Sequence, residues 1–332
     1  MTEPCYFRPI PDSGGGGRWR LAGGWVRFSR LERLARGKPP QIVDDAPEAV
    51  LAALTAPRPP ILGLGMDAPR IMGILNVTPD SFSDGGRWTA DSGIAHGRRL
   101  LAEGADLIDI GGESTRPGAA EIAVPDEIAR VLPPIHALAA AAPLSIDTRK
   151  ADVARAAVGA GAGLVNDVSG LDFDPAMAGA VARTGAAVCI MHAQGLPATM
   201  QDDPRYDDVL LDVYDALAER VARAEAAGIA RARMVIDPGI GFGKTEAHNL
   251  AILRRISLYH ALGLPVLLGA SRKGFVGRIG GGAQADARDP GSLAVTLAAT
   301  LQGVQIHRVH DVAGTRQGLA LWRAIEEQGH GT

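Results

Sequence analysis

Residues 143–167 have the sequence PLSIDTRKADVARAAVGAGAGLVND, in which two short runs flank a longer stretch. The runs at 143–147 and 163–167 are mostly apolar and do not alternate with polar residues. Such runs are typical of parallel strands that are buried on both faces. The stretch between them, at 149–161, is rich in Ala, Val and Arg and has helical period. The segment therefore predicts two parallel strands joined by a helix.

This rhythm repeats from Ile71 onward. Strands are predicted at eight runs, which are 71–75, 106–110, 143–147, 163–167, 186–191, 233–237, 264–269 and 304–309. Helices are predicted at 91–103, 125–141, 149–161, 174–184, 207–228, 246–262, 290–303 and 312–327. Eight such units predict an α/β fold, a (β/α)8 TIM barrel with an N-terminal extension. An open doubly wound sheet is the competing architecture.

The first 69 residues differ from the rest in composition. They contain a run of four glycines at 14–17, paired prolines at 39–40 and 59–60, and two tryptophans around a Gly-Gly turn. This pattern predicts a hairpin, a short helix and linkers. We therefore expect an extension at 1–69 and a barrel at 70–332. The sequence of the extension does not indicate its function.

Composition excludes several classes of protein. Of the 332 residues, 46% are hydrophobic and 21% are charged, as in a folded globular chain. The net charge of -3 offers no basic field for nucleic acid or an acidic membrane, so neither is expected as a partner. Cys5 and Cys189 lie far apart and suggest no disulfide framework. The N-terminus lacks a signal-peptide pattern, and we expect a cytoplasmic protein.

Polar residues follow nearly every predicted strand. The set includes Asn76, Asp109, Asp147, Asn166, His192, Asp237, Ser271 to Lys273, Arg308 and His310. In a closed barrel the carboxyl ends of all strands open on one mouth. The sequence therefore predicts a single active site there.

Three short strand-end residues, Asp147, Asn166 and Asp237, suit a heterocycle with several N–H donors. An ionised carboxylate accepts two parallel hydrogen bonds from such an edge. The alternative is that Asp147 and Asp167 cap the helices that follow them. Their matched positions favour a binding site.

Residues 237–245, DPGIGFGKT, resemble a nucleotide-binding loop because they follow a strand and end in Gly-Lys-Thr. A Walker A loop needs a glycine at the position of Pro238, and proline lacks the backbone N–H that binds phosphate. We therefore reject that interpretation. Phe242, between two glycines, is instead predicted to form an aromatic wall for a ring substrate.

Cationic residues follow the seventh and eighth strands, where TIM barrels commonly bind phosphate. Position favours this role for Lys273, Arg308 and His310, whereas Arg272 is expected to point outward and pair with an acid. Asn76 is a candidate ligand for Mg2+, which usually takes few protein ligands. Cys189 is interpreted as a core thiol. His192 could reach the mouth, but a structural role is favoured over that of a ligand or proton carrier.

Eight segments together resemble the signature of the dihydropteroate synthase family, a family of pterin-binding TIM barrels. In chain order they are GILNVTPDSFSDGG, DIGGESTRPG, SIDTRK, NDVSG, MHAQG, DPGIGFGK, SRKG and RVHDV. The resemblance covers residues 71 to 327. It implies condensation of 6-hydroxymethyl-7,8-dihydropterin pyrophosphate with p-aminobenzoate by an SN1-like displacement. It further implies a Mg2+ cofactor, a homodimer and a sulfonamide target.

The resemblance also assigns roles to residues. The pterin-binding residues are Asp147, Asn166, Met191, Asp237 and Lys273. Pyrophosphate is assigned to Asn76, Thr115, Arg116, Arg308 and His310, with Mg2+ on Asn76. The p-aminobenzoate pocket is assigned to Thr115, Pro117, Phe242, Ser271 and Lys273. The catalytic residues are Asp147, Lys273, Arg308 and His310.

Two positions depart from the family pattern, since Gly274 replaces a frequent Ser and His307 replaces an aliphatic residue. Two rival functions share the fold. A pterin-dependent methyltransferase would have no need of the pyrophosphate group set, and a catalytically silent paralogue would retain the fold without turnover.

Overall fold

The structure is a computed structural model, and it describes residues 4–12, 16–78, 90–114, 121–195 and 200–328. Its main feature is a sheet of eight parallel strands. They are β5 (Arg70–Asn76), β6 (Leu107–Gly111), β7 (Leu144–Asp147), β8 (Leu164–Asp167), β9 (Ala187–Met191), β10 (Met234–Asp237), β11 (Leu267–Leu268) and β12 (Ile306–Val309). A bridge between Ile236 and Val266 brings β10 to β11 and closes the ring. The predicted TIM barrel is confirmed, and the open sheet is excluded.

Helices surround the barrel near the positions predicted for them. They are α2 (Ala90–Ala102), α3 (Val124–Leu138), α4 (Ala151–Gly159), α5 (Met177–Thr184), α6 (Val209–Ala226), α7 (Glu246–Arg254), α8 (Gly274–Gly280), α9 (Asp289–Thr300) and α10 (Val312–Gln328). The sequence did not predict α8, because three of its seven residues are glycine.

The helix predicted at 246–262 was wrong in its second half. Arg255 leaves the helical region with φ -129° and ψ 27°, and a 3-10 segment follows at Ile256–Leu262. Within this segment the Ser257 hydroxyl donates to the carbonyl of Pro9. A contact with the N-terminal extension therefore accompanies the change in backbone.

Side chains alternate between two sides of the barrel wall. Ile108, Ile146 and Val165 face outward and belong to the large core under the helices. Another set fills the interior at the amino end of the strands, namely Met72, Leu107, Leu164, Ala187, Cys189, Val235, Leu267 and Ile306. Ile61 and Met66, which precede β5, complete this set. We call these ten residues the barrel floor.

The N-terminal extension forms an antiparallel sheet of four strands. The strands are β1 (Tyr6–Pro11), β2 (Trp19–Arg20), β3 (Arg27–Leu34) and β4 (Gln41–Val43), and α1 (Glu48–Thr55) follows them. β2 and β3 pair across the Gly23–Gly24 turn, as a hairpin requires. The division of the chain at residues 69 and 70 stays a prediction.

The extension binds the outer side of the barrel. The Tyr6 hydroxyl donates to Asp215 of α6 at 2.8 Å, and the Trp25 indole donates to the Thr300 carbonyl at 2.9 Å. Arg8 and Arg255 both bind Glu32. Across the described ranges, no helix combines the length and apolarity needed to cross a lipid bilayer.

Candidate active site

Arg308, near the end of β12, binds two buried carboxylates at the barrel mouth. Its Nε donates to Asp109 Oδ2 at 2.6 Å, and its Nη2 donates to Asp147 Oδ2 at 2.7 Å. Asn166 Nδ2 donates to the same Asp109 oxygen at 3.0 Å. These bonds join β6, β7, β8 and β12 in one polar layer.

Two oxygens of this layer have no hydrogen-bond partner among the described residues. They are Asp109 Oδ1 and Asp147 Oδ1, and both are buried. A buried acceptor without a donor costs free energy that a ligand N–H group recovers on binding. Burial raises the pKa of Asp147 to about 7, against the opposing charge of Arg308. The layer is thus prepared for a ligand rich in donors.

Asp237 and Lys273 form the adjacent part of the site. Asp237 Oδ1 accepts from the Gly239 amide at 2.7 Å, and burial raises the pKa of this carboxyl group. Lys273 Nζ donates to the Ile240 carbonyl and lies 4.2 Å from the centroid of the Phe242 ring. Burial lowers the pKa of Lys273 to about 8. Phe242 therefore stands beside the charged groups, where a wall for a ring substrate was predicted.

The glycine-rich loop at 239–243 packs directly on the chain after β9. Gly239 and Gly243 have φ of +68° and +61°, which favours glycine. A Cβ on Gly239 would lie 1.9 Å from the His192 carbonyl oxygen, and one on Gly243 would lie 2.3 Å from that of Gln194. These glycines serve close backbone contact and not phosphate binding. Lys244 is turned inward, which agrees with rejection of the Walker A interpretation.

The loop after β11 directs its residues to opposite sides. Ser271, which is predicted to contact p-aminobenzoate, has its Oγ 3.0 Å from Nδ1 of His310, which is predicted to contact pyrophosphate. Arg272 has a φ of +58° and binds Asp289 through two bonds of 2.7 Å each. The prediction that Arg272 pairs with an acid outside the site is confirmed.

The remaining predicted site residues lie at the edge of this group or outside the described chain. A Cβ on Gly111 would lie 3.7 Å from Asn76 Oδ1 and 3.5 Å from Asp147 Cβ, so Asn76 borders the carboxylates. Met191 is buried at the end of β9. Thr115, Arg116 and Pro117 lie outside the described residues.

Asp167 serves the local turn, not a helix cap. Its Oδ1 accepts from the Ser169 amide at 2.8 Å, and its Oδ2 accepts from the Leu171 amide at 2.9 Å. Asp147 makes no such bond and instead binds Arg308. Cys189 is fully buried, and burial raises the pKa of its thiol far above the usual value, so it is a core residue as predicted.

Residues 72–310 match the family model described as pterin binding enzyme. The dihydropteroate synthase of Escherichia coli strain K12 is 44% identical over 264 residues, which are 79% of this chain and 93% of that protein. The dihydropteroate synthase of Xanthomonas albilineans, solved with 4-aminobenzoic acid, is 49% identical with a TM-score of 0.77; the match covers 82% of this chain and 99% of that chain.

The chain belongs to the dihydropteroate synthase family. The Yersinia pestis dihydropteroate synthase, solved with a sulfonamide drug, is also similar, at 46% identity and a TM-score of 0.76 over 80% of this chain and 96% of that chain. The predictions of the family, of a transferase of folate biosynthesis and of a pterin-binding fold are confirmed. The matched share leaves the N-terminal extension largely outside the likeness.

Asp109 is a member of the polar layer that the sequence does not identify as a candidate site residue. In the sequence it stands out only as a polar residue near a strand end, three residues before Gly112. Its partnership with Arg308 spans 199 positions of the chain, and nothing in the local sequence indicates it. The available signal was its position two residues after Leu107, which places both side chains on the same side of the strand but does not identify Arg308 as the partner.

A second missed group is a buried ion-pair cluster beside the mouth. Glu113 accepts from Arg149 and Lys150 at 2.6 Å each and from the Ile122 amide at 3.0 Å. Lys150 also donates to Glu127 at 2.9 Å. The cluster therefore joins residues on both sides of the segment that carries three predicted ligands of the dihydropteroate synthase site.

The two departures from the dihydropteroate synthase pattern have different surroundings. His307 Nε2 lies 3.0 Å from Thr300 Oγ1 of α9, and burial lowers the pKa of this histidine to about 4. It is therefore a neutral packing residue behind the barrel wall. Gly274 begins α8 directly after Lys273, so this chain lacks a hydroxyl at that point.

Proposed function

We propose that this chain condenses 6-hydroxymethyl-7,8-dihydropterin pyrophosphate with p-aminobenzoate, releasing pyrophosphate and forming 7,8-dihydropteroate. The observation that carries the proposal is the polar layer of Asp109, Asp147, Asn166 and Arg308, with two buried carboxylate oxygens available. Membership of the family supports the identity of both substrates.

Asp147, Asn166 and Asp237 are proposed to bind the pterin ring, beside Met191 and Lys273. The amino-pyrimidine edge presents N–H donors, which suit Asp147 Oδ1 and the outer oxygen of Asp237. A Cβ placed on Gly269 would lie 3.8 Å from Asp237 Oδ2, so this oxygen borders the open centre. The arrangement supports a flat ligand between β7 and β10.

Pyrophosphate is assigned to Arg308 and His310, with Asn76 and the undescribed Thr115 and Arg116. Arg308 uses Nε and Nη2 for its two carboxylates, which leaves Nη1 outside these ion pairs. Burial opposes its charge, but the carboxylates of Asp109 and Asp147 raise its pKa. It stays cationic and is proposed to contact both the pterin end and the phosphate end of the substrate.

The p-aminobenzoate pocket is assigned to Phe242, Ser271 and Lys273, with Thr115 and Pro117. The ring of Phe242 and the stem of Lys273 offer apolar surface, and Ser271 offers a hydroxyl close to His310. Such a pocket places the aniline nitrogen beside the pyrophosphate-bearing methylene.

Mg2+ is the proposed cofactor, and Asn76 is its proposed protein ligand. The amide oxygen of Asn76 is a hard donor next to the carboxylate layer. Within the described ranges no group of three or more His, Cys, Asp or Glu could hold a metal ion, so substrate oxygens and water would complete the shell. When bound there, the ion would neutralise charge on the pyrophosphate.

We propose an SN1-like displacement. The carbon–oxygen bond breaks, and pyrophosphate leaves with both electrons towards Arg308 and His310. The cation is delocalised over the pterin ring and lies near anionic Asp147. The lone pair of the aniline nitrogen then forms the new bond, and the nitrogen loses a proton to solvent. Fixed charges supply most of the rate enhancement, and no protein nucleophile takes part.

We also propose that the enzyme works in the cytoplasm as a homodimer. Leu250, Leu321 and Ile325, on helices outside the barrel, expose 39%, 63% and 64% of their surfaces. Leu321 and Ile325 stand four residues apart on one face of α10, and this exposed apolar face supports contact with a second copy. Light scattering after size-exclusion chromatography should give about twice the mass of one chain, and a monomer at all concentrations would refute the dimer.

The test of function is release of pyrophosphate with the pterin substrate, Mg2+ and p-aminobenzoate all present. Asp237→Asn should lower kcat/KM by about 100-fold or more, because it weakens charge-assisted hydrogen bonds to the pterin. The variant should keep its unfolding temperature. If the wild-type chain forms no dihydropteroate, the proposed reaction is wrong and the silent-paralogue alternative stands.

A further inference from the structure

Lys244 is a buried lysine that makes no ion pair in the described part of the chain. Burial lowers the pKa of its amine well below the usual value, and the acceptors around Nζ favour the protonated form. Its Nζ lies 2.9 Å from His192 Nδ1, 2.9 Å from the Gly239 carbonyl oxygen and 3.0 Å from that of Phe242. The His192 carbonyl oxygen is slightly farther away, at 3.3 Å. Lys244 is 3% exposed and His192 is 5% exposed. The three closest acceptors therefore match the three protons of the ammonium group.

These bonds determine the shape of the glycine-rich loop. Gly239 and Phe242 supply carbonyls from its two ends, and His192 supplies an acceptor from the chain after β9. The loop contains Phe242, and its Ile240 carbonyl accepts a hydrogen bond from Lys273 Nζ. It also contains the Gly239 amide that donates to Asp237. Lys244 thus reaches three candidate substrate-binding groups through backbone, without touching the mouth itself.

His192 must be neutral to accept a proton from Lys244 at Nδ1, so Nε2 carries its hydrogen. Burial lowers the pKa of His192 far below the usual value, and the charge of Lys244 lowers it further. The other charged or titratable groups that face the pair come from several elements. They are Arg220 of α6, Asp237 of β10, Lys273 after β11, and Tyr206 and His248 at the rim.

We propose that Lys244 and His192 act together as positioning residues, which hold the loop at 239–243 so that Phe242, Asp237 and Lys273 fit the two substrates. The inference rests on the proposed function, since it concerns the same site. It assigns the Gly-Lys-Thr motif a task other than phosphate binding: the lysine binds the carbonyls of its own loop. It also gives a role to His192, whose Nδ1 lies 2.9 Å from Lys244 Nζ directly after a barrel strand.

Arg58 offers a matched control. It is likewise buried, with 7% exposed, and its guanidinium donates to the backbone carbonyls of Ala56 and His260. Arg58 precedes the barrel floor, at the opposite end of the barrel from the mouth. Lys244→Met and Arg58→Met each remove a buried cation from carbonyl partners, but only the first should affect substrate binding.

The first experiment measures unfolding temperature, kcat and both KM values for Lys244→Met and Arg58→Met. Both variants should unfold at lower temperature. Lys244→Met should raise the KM values by about tenfold, because a displaced loop should weaken the equivalent of one charge-assisted hydrogen bond to the substrates, while Arg58→Met leaves them unchanged. Equal KM values in Lys244→Met and the wild type would overturn the proposal.

Histidine variants keep the test valid if Lys244→Met does not fold. His192→Asn retains an acceptor oxygen near the position of Nδ1 and should have KM values close to the wild type. His192→Leu leaves the ammonium group short of one acceptor and should behave as Lys244→Met does. If the two histidine variants have the same KM values, His192 does not act through Lys244 and the proposal fails.

A spectroscopic measurement separates this inference from the proposed reaction, since it needs no turnover. In 15N spectra of the wild-type protein, His192 should be the Nε2–H tautomer, and its pKa should lie well below the usual value for a histidine. In Lys244→Met the neighbouring charge is absent, so the pKa of His192 should rise. A wild-type His192 that titrates near pH 6.5 would refute the pair, whether or not the chain makes dihydropteroate.

Discussion

The two ends of the barrel are built from the same strands and have opposite chemistry. In β6 the floor residue Leu107 is followed two positions later by Asp109, and in β8 Leu164 is followed by Asn166. The strands β10 and β12 repeat this step, from Val235 to Asp237 and from Ile306 to Arg308. Each of these four rows thus passes from an apolar side chain to a polar one within two residues.

The difference separates stability from binding. The ten floor residues bury apolar side chains, and this burial gains roughly 25 cal/mol for each Å² removed from water. The mouth keeps carboxylate oxygens without partners and an arginine between two acids. Such groups cost free energy until a ligand completes them. Substitutions at the two ends should therefore have separable effects on unfolding and on substrate binding.

The largest effect is expected from Arg308→Met, which leaves Asp109 and Asp147 as neighbouring buried acids. Removal of one member of a buried ion pair costs about 3–5 kcal/mol. Without the arginine, the folded-state pKa of Asp147 rises further above its unfolded value. Relative to the wild type, whose Asp147 has a pKa of about 7, the penalty should be full above the variant's higher pKa and should shrink as pH falls to about 7, where the carboxyl is protonated in both proteins. Denaturant unfolding at several pH values measures it.

Arg316→Met is the control for this experiment. Arg316 binds Asp106 at 2.7 Å but is 40% exposed, so its loss should cost less than about 1 kcal/mol at every pH. An Arg308→Met variant that shows no pH-dependent loss would mean that the two acids do not repel each other in the folded chain.

The next effect concerns the floor. Leu164 is fully buried there, and Leu164→Ala should lower the free energy of unfolding by about 3 kcal/mol through lost burial and a new cavity. Below the unfolding temperature its KM values should equal those of the wild type. Ile42→Ala, at a residue that is 57% exposed, should change neither quantity. A large KM change in Leu164→Ala would show that the two ends are coupled.

A smaller effect is expected from pH. Burial raises the pKa of Asp147 to about 7 and lowers that of Lys273 to about 8. The reactive form, with Asp147 anionic and Lys273 cationic, should therefore dominate only in a narrow pH range between these values. The rate constant kcat/KM should fall by about tenfold for each pH unit outside that range. Lys273→Arg should remove the alkaline limb of the profile. A flat profile from pH 6 to 9 would contradict both roles.

The smallest effect is expected at the surface between extension and barrel. Arg36 binds Asp212 and Asp215, but its side chain is 39% exposed. Arg36→Ala should lower stability by less than about 1 kcal/mol, and salt near 1 M should abolish the difference. The KM values should not change. A loss as large as that of Leu164→Ala would place the extension among the main sources of stability.

The sequence predicts the barrel because buried parallel strands need continuous apolar runs, and each of the eight runs overlaps an observed strand. It fails where tertiary contact decides the backbone. The end of α7 at Arg254 accompanies contacts from the extension, and β1 pairs with β3 although they are not adjacent in sequence. Local pattern carries no signal for either feature.

The site is predictable in part for the same reason. Strand ends identify Asp147, Asn166 and Asp237, because the fold alone brings them to the mouth. The partner of Arg308 is not predictable, since Asp109 reaches it only when the ring closes. The role of Lys244 is not predictable either, because a Gly-Lys pair in the sequence does not show whether the lysine faces solvent or its own loop.

The two-residue step along each strand has a consequence for how the chain tolerates insertions. One residue added inside Leu144–Asp147 would turn Asp147 outward to the helices and bring Ile146 into the mouth. Binding and folding would then be lost in one event. The loops after the strands carry no such two-residue alternation, so a residue added there does not exchange the two faces of a strand. Insertions that change substrate preference are therefore expected in the loops and not in the strands that carry them.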